Sequence, residues 1–154
     1  MKRIMFVCHG NICRSPMAEF IFKDMIKINN LESEYLISSS ATSTEEIWNG
    51  TGNPVYPPAK RELEKHGISC GNKRAVQLKV TDYDKYDYFI GMDSANIRNM
   101  NIILQGDKLN KIHKLMDFTS RKDDVADPWY TGDFEKTYND ILEGCKGLLD
   151  FLSR

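Results

Sequence analysis

Near the start of the chain four apolar residues, Ile4-Met5-Phe6-Val7, run without a break, and a mostly small and polar stretch separates them from Ser15-Pro16. An unbroken apolar run, rather than an alternating one, is what a strand covered on both faces requires. Serine at a cap and proline at the first helical position mark the start of a helix. Strand, short loop and helix in that order are the opening of a βαβ unit, which commits the chain to a parallel sheet with helices packed on it.

The rest of the sequence continues the pattern. The first helix is expected to reach about Ile28, with Met17, Phe20, Ile21, Met25 and Ile28 on its apolar face, and to stop at Asn29-Asn30. Residues 35–38 read as a second strand, residues 39–58 as a long loop, and residues 59–66 as a helix closed by Gly67. Residues 86–90 read as a third strand, Asp93 as the cap of a helix carrying Ile97, Met100 and Leu104, and residues 112–118 as a fourth strand. In the last helix Phe134, Tyr138, Ile141, Cys145, Leu148 and Leu152 form one continuous stripe, with Asp133 as its cap. The expected fold is α/β, a three-layer sandwich with a four-stranded parallel sheet between helices. Sites in such sheets gather at the carboxyl ends of the strands, so the loops after the first and fourth strands carry the search for function.

A chain of 154 residues suits a single domain spanning 1–154. Its 21 basic and 22 acidic side chains nearly cancel, so no global field recruits nucleic acid or an anionic membrane. No apolar run approaches the roughly 18 residues that a spanning helix needs, and the N-terminal run is too short for an export signal. The four cysteines are therefore expected in the reducing cytoplasm, serving chemistry or burial rather than disulfides.

The first loop reads Cys8-His9-Gly10-Asn11-Ile12-Cys13-Arg14-Ser15. A loop entering a helix N-terminus can curl its N–H groups into an anion nest, to which the helix dipole adds partial positive charge. Arg14 supplies a planar fork matched to two phosphate oxygens. A cysteine in that field ionises readily and is set for in-line attack on phosphorus. Ser15 can both cap the helix and hydrogen-bond the sulfur, while Gly10 and Asn11 tolerate the left-handed angles of a tight cradle. Taken alone, Cys8 also fits a small core residue at a strand end, and Cys8 with Cys13 and His9 fits half a zinc site. No second ligand pair stands at zinc spacing, and no nucleotide P-loop motif is present.

In the second loop, Asp127-Pro128-Trp129-Tyr130, a carboxylic acid stands beside aromatic residues. In a parallel sheet this loop emerges on the same edge as the Cys8 loop, where an acid could protonate a departing oxygen. Asp before Pro is equally a common turn opener, and Asp123 and Asp124 compete for the role.

The stretch Val7 to Pro16 resembles the signature of the low-molecular-weight protein tyrosine phosphatases. The likeness extends through Ser39-Ser40-Ala41-Thr42-Ser43, Gly52-Asn53-Pro54, His66-Gly67-Ile68, Gly91-Met92-Asp93-Ser94 and Asp127-Pro128, nearly the whole chain. The resemblance implies a sheet of order 2-1-3-4 and hydrolysis of protein phosphotyrosine through a cysteinyl-phosphate, without metal or cofactor, releasing inorganic phosphate. It implies Cys8 as nucleophile, Arg14 as phosphate clamp and Asp127 as general acid, with residues His9, Gly10, Asn11, Ile12, Cys13, Arg14 and Ser15 forming the phosphate cradle. It also implies a substrate rim at His9, Ile12, Trp48, Trp129 and Tyr130; Trp48 lies in a long loop and fits a plain loop residue equally well.

Three relatives on the same fold are alternatives. Similar protein-arginine phosphatases carry Thr where Ile12 stands. Similar arsenate reductases relay through further cysteines roughly 70 to 80 residues after the first, and none lies between Cys70 and Cys145. A non-enzymatic phosphoprotein-binding module would be expected to lack Cys8, Arg14 or Asp127. By resemblance Cys13 is a redox partner that traps oxidised Cys8 as a disulfide; packing under the loop explains it as well. Cys70 and Cys145 read as structural. Where the family often places a His to support the loop Asn, this chain has Lys73, which leaves Ser39 as the expected partner of Asn11.

Overall fold

The computed structural model describes all residues, 1–154. Strand β1 (Lys2–Cys8) leads through the cradle loop into α1 (Arg14–Ile28), then β2 (Tyr35–Ala41). A small antiparallel hairpin, β3 (Ile47–Trp48) and β4 (Thr51–Gly52), precedes α2 (Pro57–Glu64). Strand β5 (Tyr88–Gly91), α3 (Ser94–Ile103), β6 (Ile112–Lys114), the one-turn α4 (Pro128–Thr131) and α5 (Phe134–Leu152) complete the chain. The main sheet is parallel throughout with order β2-β1-β5-β6. Counted without the hairpin strands, that is second, first, third, fourth.

The unbroken run in β1 is explained by two separate cores. Ile4 and Phe6 face α1 and α5, packing with Met17, Ile21, Phe22, Ile141 and Leu148. Met5 and Val7 face the other side, with Leu78, Phe89, Met100 and Leu104. Burial of a large apolar side chain is worth about 1.5–3 kcal/mol, so β1 anchors both layers at once. The stripe on α5 is buried from Tyr138 to Leu152, with Phe134 packed at its edge.

Four local expectations change. Helix α1 begins at Arg14 with Cys13 at the cap position and no side-chain cap, because the Ser15 hydroxyl is engaged elsewhere, with Cys8 and Asn11. Its inward face is Met17, Ala18, Ile21, Phe22 and Ile26, while Phe20 and Met25 are only partly covered and Ile28 is exposed, so the apolar phase is shifted around the helix. Within residues 39–58 the chain makes the β3–β4 hairpin, turned by Asn49 and Gly50 at positive φ, the chemistry a tight hairpin turn demands. The fourth strand stops at Lys114, since Leu115 and Met116 are both fully buried, which adjacent residues of a strand facing solvent on one side cannot be; a single 3-10 turn takes over through Phe118. No helix is long and apolar enough to cross a membrane.

Candidate active site

The carboxyl ends of β1 and β5 lie side by side, with Val7 opposite Gly91, so the loops that follow them open at one edge. Cys8, the last residue of β1, lines a pocket together with His9, Gly10, Asn11, Ile12, Cys13, Arg14, Asp127, Trp129 and Tyr130. The two loops singled out in the sequence therefore meet over the sulfur.

Backbone polarity makes the first loop a cradle. Its carbonyls are taken by the surrounding chain: those of Cys8, His9, Ile12 and Cys13 accept from the N–H groups of Thr42, Ser43, Tyr56 and Met17. The N–H groups of Asn11 and Ser15 donate to Cys8 Sγ at 3.3 and 3.4 Å. Those of Gly10, Ile12 and Cys13 have no acceptor in the protein. A loop with four of its carbonyls consumed and three N–H groups left free, opening on a helix N-terminus, is built for an anion.

The sulfur itself is supported by Ser15, whose Oγ lies 3.0 Å away. Asn11 Nδ2 donates to that Oγ at 2.8 Å, so the Ser15 hydrogen is free to point at Cys8, the Ser40 carbonyl being farther at 3.5 Å. Asn11 sits at φ 59°, and its side chain holds it there: Nδ2 also donates to Ser39 Oγ at 3.0 Å, and Oδ1 accepts from the Val76 N–H at 3.1 Å. Ser39 is thus the Asn11 partner expected from the sequence. Its hydroxyl donates in turn to Glu19 at 2.6 Å, a carboxylate buried in α1 and paired with Lys23. Lys73 reaches not Asn11 but the Ser39 carbonyl, at 2.9 Å, with Glu19 3.8 Å away. Burial lowers the Lys73 ammonium from its ordinary value despite the opposing pull of Glu19.

Arg14 is almost wholly buried at the floor. Nη1 pairs with Asp93 at 2.7 Å and donates to the Val125 carbonyl at 2.9 Å; Nη2 lies 3.5 Å from Asp127. Burial opposes its charge, but the Cys8 sulfur and the two carboxylates outweigh burial and hold the guanidinium above its ordinary value. Asp93 also caps α3 through Oδ1, as expected, so one carboxylate fixes both the helix and the arginine. That second role was not foreseen, although Asp93 stands next to the end of β5, where site residues of such sheets belong.

Asp127 combines the two roles weighed in the sequence. Oδ1 caps α4 by accepting the Trp129 N–H at 3.0 Å, and Oδ2 faces Arg14. Asp123 is tied to Arg121 and Asp124 to Lys114, and neither lines the pocket. Asp133 caps α5.

The rim differs from expectation at one place. His9, Ile12, Trp129 and Tyr130 line the mouth, but Trp48 does not: it stands on the β3–β4 hairpin, 84% exposed, away from the pocket. Glu45 and Glu46, just before the hairpin, take that side. Tyr56, another residue not foreseen, packs on Trp129 with ring centroids 4.8 Å apart and braces the aromatic wall. Cys13 is buried beneath the loop; burial, then the neighbouring Cys8, pushes its thiol up. Burial likewise raises Cys70 and Cys145, and all four cysteines are free thiols.

The low molecular weight phosphotyrosine protein phosphatase family model matches residues 3–154. The low molecular weight protein-tyrosine-phosphatase YfkJ of Bacillus subtilis is 38% identical, over 97% of this chain and 94% of its own; its crystal structure superposes with a TM-score of 0.93 over 99% and 95%. The low molecular weight protein tyrosine phosphatase SP-PTP of Streptococcus pyogenes is 40% identical with a TM-score of 0.83, over 100% of this chain and 93% of its own. A Drosophila arginine phosphatase is also similar in structure, at 25% identity and a TM-score of 0.86, over 100% and 99%. A cysteine at the floor of an anion cradle, carried on this sheet and matched over almost the full length, places the chain in the low molecular weight phosphotyrosine protein phosphatase family.

Proposed function

We propose that the pocket hydrolyses protein phosphotyrosine in two steps on Cys8, as one catalytic domain acting in the cytoplasm. The observation that carries this reading is the polarity of the cradle loop around the sulfur, with the Gly10, Ile12 and Cys13 N–H groups free, those of Asn11 and Ser15 on the sulfur, and four of the loop carbonyls already used. In the first step Cys8 Sγ attacks phosphorus and the bond to the tyrosyl oxygen breaks, while Asp127 gives its proton to that oxygen. In the second, Asp127 takes a proton from water, which attacks phosphorus; the S–P bond breaks and phosphate leaves. The Ser15 hydroxyl, released by its bond from Asn11, stabilises the departing sulfur. Arg14 and the free N–H groups of Gly10, Ile12 and Cys13 hold the phosphoryl oxygens, the preorganised stabilisation that dominates such reactions. The Arg14–Asp127 contact, at 3.5 Å, is long and readily exchanged for a phosphate oxygen.

The test is release of p-nitrophenolate from p-nitrophenyl phosphate between pH 5 and 8 with chelator present. Wild type turns over, Cys8→Ser does not, and Asp127→Ala loses about 10²- to 10⁴-fold, the size of a general-acid contribution. Folded, reduced wild type without turnover would refute the reading. Phosphotyrosine and phosphoarginine peptides compared side by side then separate the two substrate classes.

The same reading gives Cys13 a protective role. Peroxide converts Cys8 to the sulfenic acid; the Cys13 thiol displaces hydroxide as water, forming a disulfide that an added thiol reduces. Peroxide-treated wild type should regain activity with thiol, and Cys13→Ser should lose that recovery. Equal recovery in both removes the role.

A further inference from the structure

The mouth of the pocket carries more negative charge than a site for a phosphate dianion needs. Glu45 and Glu46 both line it, and the one lysine or arginine in the lining is Arg14, buried at the floor and already facing Asp93 and Asp127. Glu45 is 72% exposed at its side chain, and its ion pair is with His9, at 3.0 Å. Glu46 meets only the Asn53 amide, at 3.4 Å. No lysine or arginine of the chain pairs with either carboxylate.

These two residues are held in place. The Ser43 N–H donates to the His9 carbonyl at 3.0 Å, the Glu45 N–H to Ser43 Oγ at 3.3 Å, and the Asn53 N–H to the Glu46 carbonyl at 2.8 Å. The stem of Glu46 lies over Gly10, where its Cγ would stand 3.2 Å from an added Cβ. The backbone that carries both carboxylates is therefore fixed beside the cradle, and the Glu46 stem with it. An unneutralised lip repels a second negative charge arriving with the substrate and attracts a positive one. At physiological ionic strength that influence extends about 8 Å, and residues flanking the phosphotyrosine, spaced about 3.8 Å apart along the chain, fall within it.

Resting on the phosphotyrosine reading above, we propose that Glu45 and Glu46 make the site selective for segments with lysine or arginine within two residues of the phosphotyrosine, and select against acidic flanks. Three phosphotyrosine peptides, identical except for Lys, Ala or Glu at both flanking positions, test this through kcat/KM. Wild type should rank them Lys, Ala, Glu, with about three- to tenfold between the extremes, the scale of one or two exposed ion pairs. The spread should shrink when salt is raised to about 0.5 M. In Glu45→Gln/Glu46→Gln the ranking should collapse, and in Glu45→Lys/Glu46→Lys it should invert. A flat or reversed ranking in wild type, or one that survives in the double Gln variant, overturns the proposal. Turnover of p-nitrophenyl phosphate by the same preparations keeps this apart from the underlying reading: if wild type fails there, it is the phosphatase assignment that falls.

Discussion

The two loops that meet over Cys8 are held by different forces. In the cradle loop Cys8 and residues Asn11 to Ser15 are all buried, and the restraints are hydrogen bonds in the interior, running from Asn11 to Ser15, Ser39 and Val76 and on to Glu19. In the segment that brings Asp127, from Thr119 to Thr131, only Val125 and Pro128 are buried. There the restraints are ion pairs nearer the surface: Arg121 to Asp140, Asp123 and Glu143, and Lys136 to Asp140. An anion cradle stabilises charge only if its donors are already aimed, so rigidity is worth its cost. On the proposed mechanism the Asp127 loop admits and releases a substrate between Trp129 and the opposite lip, and weaker, screened restraints suit that task.

Asn11→Ala should break the stronger side of this contrast. It removes both buried bonds from Nδ2, takes the acceptor from the N–H of the half-exposed Val76, and puts alanine at φ 59°. Losing the two buried Nδ2 bonds costs about 1–3 kcal/mol and the left-handed angle about 1–2 more, so the loss should be about 2–5 kcal/mol in urea unfolding. Turnover of p-nitrophenyl phosphate should fall at least about tenfold with it, because Ser15 is no longer oriented toward the sulfur. A variant as stable and active as wild type would mean that the cradle holds its shape without Asn11, and the contrast between the loops would disappear.

What was legible in the sequence follows the same division. The cradle could be read because its residues are consecutive and most have one strong physical reason to be there: asparagine for its left-handed angle, arginine for oxygens, serine before proline near a helix start; Gly10 does not need that angle, and what crowds it is the Glu46 stem. Of the two roles expected of the Ser15 hydroxyl, it takes the bond to the sulfur and not the cap, because its one hydrogen and its Asn11 bond are already committed there. Topology brought the Asp127 loop to the cradle's edge, and the family resemblance, not topology, chose Asp127 over Asp123 and Asp124. Glu19, Asp93 as the Arg14 anchor, Tyr56 and the two rim glutamates were not, because each acts through a neighbour distant in sequence. The misplaced Trp48 has a local cause: Trp48-Asn49-Gly50-Thr51 carries an Asn-Gly hairpin signal, and reading it would have turned the tryptophan outward onto a strand.

Asp140→Asn sharpens the weaker side. Asp140 lies on α5, 8% exposed at its side chain, with Arg121 at 2.6 Å and Lys136 at 2.8 Å. Burial alone would raise its carboxyl, but the bonds from Arg121 and Lys136 outweigh burial and hold it below the ordinary carboxylate value. A depressed carboxylate adds stability that is present above its unfolded value, near 3.9, and is lost as pH falls through the lower folded one. The thermal midpoint of Asp140→Asn should therefore lie a few degrees under wild type at pH 7, and the gap should close below about pH 4. Because the same clamp steadies the segment that ends in Asp127, kcat/KM should also fall, by less than the roughly 10²-fold expected for losing the acid itself. The fall should grow as the phenol of the aryl phosphate becomes a weaker acid, since a poorer leaving group depends more on the proton. A uniform loss across leaving groups would make the clamp a matter of stability alone, and the acid loop would then owe its position to Val125, Arg14 and the α4 cap.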